Sequence, residues 1–177
     1  MIKYIDVLEG LKQLSDESID CIVTSPPYNK YGLSKFKHRK IKYKNYDDNM
    51  FEEDYQNWQI EILNECHRVY QTIIWNRNQS PSIFNTFLMP TYEYVFWMTK
   101  TQKTPKVYRN RLDNIKDIWN ITPSRSKIHP ATFPVKLVEN CILLTTDEGD
   151  LVLDIFAGTG TTLNVADKLN RESIGFD

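Results

Sequence analysis

The chain has 177 residues, 41% apolar and 25% charged, enough for a sizeable core and ordinary for one globular domain. A formal net charge of −1 excludes a global pull toward nucleic acid, so any basic surface must be local. No apolar run is long enough to span a bilayer, and residues 1–6 lack the apolar core of a signal peptide. Cys21, Cys66 and Cys141 sit in apolar-patterned segments without metal-ligand spacing, so reduced thiols in a cytoplasmic protein with no metal site are expected.

Residues 2–7 read as a short strand with Asp6 at its end, where an acid commonly caps the next helix. Leu8, Leu11 and Leu14 follow at helical spacing. The run Cys21 to Val23 then reads as a buried strand that stops at Thr24-Ser25-Pro26-Pro27-Tyr28. Prolines cannot donate to a ladder, and the residue before each is pushed into extended geometry. The strand end is therefore stiff and presents a hydroxyl, backbone carbonyls and an aromatic ring. Such a Pro-Pro step also marks ordinary turns.

Residues 30–49 crowd cations, among them Lys35, Lys37, Arg39, Lys40 and Lys42, between aromatic residues and without hydrophobic period. A solvated loop and a loop that meets phosphates and stacks on bases are both open. Residues 51–70 read as a helix with Tyr55, Trp58, Ile62 and Val69 near one face and an acidic first turn. Residues 72–75 read as a strand, which leaves Gln71 alone as the connection. An αβ connection normally takes two residues or more, so either the boundary lies elsewhere or chain is absent here, and absent chain is the favoured expectation. A strand over 93–99 and a second basic, low-apolar stretch over 100–125, with Arg109 and Arg111, come next.

A proline-punctuated segment, His129-Pro130 to Phe133-Pro134, leads into a predicted helix over 135–145. An apolar strand then feeds Asp154-Ile155-Phe156-Ala157-Gly158-Thr159-Gly160-Thr161, a helix over 163–169 and a strand over 173–177 ending in Asp177. Glycines let a backbone approach a ligand, a helix N-terminus offers free N–H groups, and an acid at the next strand tip suits a ribose. No Gly-Lys-Ser/Thr follows, which excludes a phosphate-binding P-loop.

With both motifs in hand, the chain resembles the amino-methyltransferases of DNA, the N4-cytosine and N6-adenine group of restriction-modification systems. Residues 24–28 are similar to that family's catalytic motif, 154–160 to its S-adenosylmethionine motif, 129–134 to the cofactor motif before it, and Asp6 to an acid near the cofactor's adenine. The catalytic motif comes first, as in the permuted β arrangement. The resemblance implies an α/β fold, a Rossmann-like S-adenosylmethionine-dependent methyltransferase with a mixed sheet flanked by helices. It is read as one domain over 1–177 with a DNA-recognition region at about 76–128. Relative to the family the sheet is expected to lack one core strand and its C-terminal covering.

The resemblance implies a catalytic set of Ser25, Pro26, Pro27 and Tyr28, the last stacking on a base flipped from double-stranded DNA. It implies cofactor contacts at Asp6, Thr24, His129, Phe133, Asp154, Phe156, Ala157, Gly158, Thr159, Gly160, Thr161 and Asp177. DNA contacts are expected at Lys35, Lys37, Arg39, Lys40, Lys42, Arg109 and Arg111, with a cognate restriction endonuclease as system partner and a monomer or homodimer as the assembly. In the resembling family a Ser at the first motif position leans toward N4-cytosine, and Asp or Asn toward N6-adenine. Methylation at cytosine C5 needs a cysteine that usually follows a proline, and Asp20, Glu65 and Asn140 precede the cysteines here. The other classes carried are an inactive DNA-binding remnant and a methyltransferase of RNA or a protein amide. The motif order and the two basic stretches argue against the last.

Overall fold

The computed structural model describes residues 1–26, 50–64, 68–77, 91–99, 104–113, 116–123 and 133–177. They fall into two compact units, Met1–Glu65 with Thr146–Asp177, and Cys66–Thr145. Among the described residues no helix is long and apolar enough to cross a membrane.

The first unit is built on a four-stranded parallel sheet in the order β1 (Ile2–Lys3), β7 (Glu172–Phe176), β6 (Leu151–Asp154), β2 (Cys21–Ile22). Because all four run the same way, their carboxyl ends share one edge. β6 is buried from Val152 to Asp154, which explains its unbroken apolar run. Asp20 sets the register of β2 against β6: its N–H donates to Leu151 O at 3.1 Å and its carboxylate accepts from Leu151 N–H at 2.8 Å. Two helices of this unit are α1 (Val7–Lys12) and α4 (Thr161–Lys168), the latter burying Thr162, Leu163, Val165 and Ala166. α2 (Glu52–Asn64) sends Trp58 and Ile62 to the same core, with Leu153, Ile155 and Phe176. Gly175 lets this packing close, since a Cβ there would lie 2.7 Å from Ala157 Cβ and 3.0 Å from a Leu163 methyl.

Several sequence expectations shift here. β1 is two residues long, because Asp6 caps α1 and takes Val7 into the helix. Ile22, expected to be buried, is 44% exposed. α2 ends at Asn64 and not near residue 70, and a strand already begins at Arg68, so the expected one-residue connection at Gln71 is not observed. Val69, placed on the helix by its spacing from Ile62, belongs instead to a strand.

The second unit holds a mixed three-stranded sheet, β4 (Tyr92–Thr99), β3 (Arg68–Asn76), β5 (Ile118–Asn120), in that order. β3 pairs with β4 antiparallel from Arg68↔Thr99 to Asn76↔Tyr92, with a bulge between Val69 and Gln71, and with β5 in parallel. α3 (Val135–Thr145) packs Leu137 and Leu144 onto Ile73, Trp75, Trp119 and Ile121. The described part of the stretch 100–125 is structured. A 3-10 turn at Arg109–Arg111 and β5 interrupt it, while Val107, Leu112 and Trp119 anchor it in the core.

Candidate active site

Two turns meet at the carboxyl edge of the parallel sheet. The first follows β2, where Thr24, Ser25 and Pro26 are half-buried. The second follows β6 and runs from Ile155 to Gly160, the N-cap of α4. Gly158 (φ 47°) and Gly160 (φ 75°) take left-handed backbone conformations that disfavour side chains, and no side chain caps α4. A Cβ at Gly158 would meet only Phe156 O at 4.0 Å, so the turn is open at that point. Ala157 N–H donates to Phe176 O at 2.8 Å, tying the turn to the end of β7, while Asp177 N–H donates to Lys3 O at 3.0 Å.

Asp154 joins the two turns. Its Oδ1 accepts from Thr24 Oγ1 at 2.8 Å and from Phe156 N–H at 3.1 Å. The carboxylate is 1% exposed, and this burial holds its pKa above the usual 3.8; the Thr162 and Thr24 hydroxyls and the Phe156 N–H act the other way, and the Asp177 charge adds to the rise. Thr162 has one proton to give. It stands beside the carboxylate but donates to Val23 O at 3.4 Å, a long contact, leaving Asp154 Oδ2 buried without a well-formed hydrogen bond among the described residues. A buried, under-bonded carboxylate at a turn of glycines suits a cationic or hydroxyl-bearing ligand. Beside it the Phe156 ring lies 5.4 Å from that of Trp58, at 58°.

These observations place Thr24, Ser25, Pro26, Asp154, Phe156 to Thr161 and Asp177 on one sheet edge. Asp6 follows β1 at the same edge, where its carboxylate caps α1 by accepting from Leu8 N–H (3.0 Å) and Glu9 N–H (3.3 Å). Phe133 packs on the core of the second unit, just ahead of α3. In that unit the Arg111 guanidinium lies 3.7 Å and the Lys106 ammonium 4.7 Å from the Tyr108 ring centroid. Arg109 lines a cavity of about 140 Å³ with Trp97, Lys116 and Trp119. Pro27, Tyr28, Lys35, Lys37, Arg39, Lys40, Lys42 and His129 lie outside the described residues. Trp58 and Thr162 were missed from sequence. Trp58 lay on a helix read only for its apolar face, and Thr162 looked like a second copy of Thr161, although only Thr162 is fully buried.

A family model for N6/N4 DNA methylases, described as DNA methylase, matches residues 68–177. The chain belongs to this family. The type II methyltransferase M.BglII of Bacillus subtilis is 28% identical over 238 aligned positions, covering 96% of this chain and 63% of its own length. M.HpaI of Haemophilus parainfluenzae is 28% identical over 222 positions, with 97% and 68% covered. Both aligned spans exceed the 177 residues of this chain, so these relatives carry residues without a counterpart here. Among solved structures, PvuII DNA methyltransferase (cytosine-N4-specific) superposes with a TM-score of 0.78 at 24% identity, over 99% of this chain and 80% of that one. The M1.HpyAVI–SAM complex gives 0.68 at 23%, over 100% and 92%. At these identities the likeness establishes the fold, that of the α/β methyltransferases.

Proposed function

We propose that the chain is an S-adenosylmethionine-dependent DNA methyltransferase of a restriction-modification system, acting on an exocyclic amino group, N4 of cytosine, of a flipped base. The observation that carries this reading is the Thr24–Asp154 hydrogen bond, which sets the Ser25-Pro26 acceptors beside the glycine turn after β6. The donor set there fits the cofactor: Asp154 and Asp177 would face its positive charge and ribose hydroxyls, Gly158 and Gly160 would leave room for it, and Phe156 would pack beside its flat base. When bound, it supplies an electrophilic methyl group.

The chain's own residues supply positioning. An amine on a nucleobase is a poor nucleophile because its lone pair is delocalised into the ring. The Ser25 hydroxyl and Pro26 carbonyl accept its N–H groups, hold the nitrogen and turn the lone pair outward. Tyr28 stacks on the extruded base. Arg109 and Arg111 meet phosphates, together with the cations of residues 30–49. Ser25 at the first motif position supports cytosine over adenine.

The test is methyl transfer from labelled S-adenosylmethionine to unmethylated genomic DNA, with nucleosides resolved by mass spectrometry. N4-methylcytosine is expected. N6-methyladenine would keep the reaction class and overturn the base. No label, with no cofactor binding in calorimetry, would overturn the reading in favour of an inactive DNA-binding remnant.

A further inference from the structure

We propose that the Thr24 hydroxyl is a clamp that sets the reach between the turn after β2 and the end of β6, with Thr24 a positioning residue and not a cofactor contact. This rests on the methyl-transfer reading of the two turns. Thr24, just before Ser25, donates across the sheet to Asp154 Oδ1 at 2.8 Å, and that oxygen also receives the Phe156 N–H of the opposite turn. Thr162, in the first turn of α4, lies 3.4 Å from Val23 O, too long to serve as a second tie.

The fold does not need this clamp. Asp20 and Leu151 already fix the register, as do the pairs Cys21↔Val152 and Ile22↔Leu153. Among the described residues the backbone ladder between β2 and β6 ends where Val23 N–H donates to Leu153 O at 3.0 Å. Beyond that point, the Thr24–Asp154 bond carries the alignment of Ser25 and Pro26. Alignment is where the rate is sensitive, since a misplacement of about 1 Å costs on the order of a hundredfold.

The variants that separate positioning from binding are Thr24→Val, which keeps the shape and deletes the donor, and Thr24→Ser, which keeps the donor. Thr24→Val is expected to hold the calorimetric Kd and the KM for S-adenosylmethionine within about threefold while single-turnover transfer falls about tenfold or more, with Thr24→Ser restoring most of the rate. Loss of cofactor affinity in step with rate would make Thr24 a cofactor contact and overturn the clamp. An unchanged rate would overturn it too. If the wild-type chain transfers no methyl group, the function proposed above fails by itself, and the clamp is read from amide exchange. Thr24→Val, but not Thr24→Ser, must then speed exchange at Phe156 and Ala157 on the opposite turn, and a change confined to residues 21–25 would overturn it.

Discussion

The polar groups at the two cores are bonded differently. In the mixed-sheet unit both core indoles are bonded: Trp75 Nε1 donates to Ile121 O at 2.7 Å and Trp119 Nε1 to Lys116 O at 2.9 Å. In the parallel-sheet unit Arg171 is equally settled, donating to Thr146 O at 2.8 Å and Thr146 Oγ1 at 3.1 Å, but Asp154 keeps an oxygen without a well-formed bond. A satisfied polar core specifies a fold, whereas an under-bonded buried acid lowers stability and is retained where a ligand completes it. Asp154 stands at the sheet edge where the two motifs meet.

Three substitutions sharpen this contrast, in falling order of effect. Trp75→Ala should cost about 3–5 kcal/mol in urea unfolding by opening a cavity beside Ile73 and Trp119, and Trp75→Phe about 1–3 kcal/mol by leaving Ile121 O unpaired. A loss well under 1 kcal/mol for Trp75→Ala would mean that the core of the second unit is loosely packed. Gly175→Ala should cost about 1–3 kcal/mol, because the added carbon collides with Ala157 and Leu163 beneath the glycine turn after β6. Thermal melting with and without S-adenosylmethionine should show a lowered Tm and weaker ligand stabilisation.

Asp154→Asn should act in the opposite direction on stability. Burial raises the folded-state pKa of Asp154 above 3.8, so the folded protein binds this proton more tightly than the unfolded chain does. The penalty is absent below the unfolded value, grows as pH rises from there toward the raised folded value, and is complete above it. The variant should therefore melt higher than wild type near pH 8, lose that advantage as pH falls toward 4, and bind S-adenosylmethionine poorly throughout. Melting scans across pH test the sign, and a variant less stable than wild type at pH 8 would show that the charge is well compensated.

Much of the parallel unit was legible in the chain. The apolar run before Asp154 and the glycines after it marked a strand, a turn and a helix, and those stand within a residue or two. Motif residues at strand ends were legible because a parallel sheet collects such ends on one side. The second unit was harder. β5 carries only three residues between polar neighbours, too short for any period, and Trp119 alone signals its burial. The helix-to-strand step failed because Ile62 and Val69 keep helical spacing across a boundary where the chain changes form. Thr162 was illegible because two adjacent threonines look alike until α4 turns one inward.

The pairing of β1 with β7, and of β2 with β6, also orders events in time. Neither early strand has its sheet partner until residues beyond 150 exist, whereas β3 finds β4 within some thirty residues. During synthesis the mixed sheet has its strands complete while the strands that lead to Asp6 and Ser25 still await their sheet partners. The strand end that carries Ser25 and the glycine turn after β6 are thus joined only once residues beyond 150 exist.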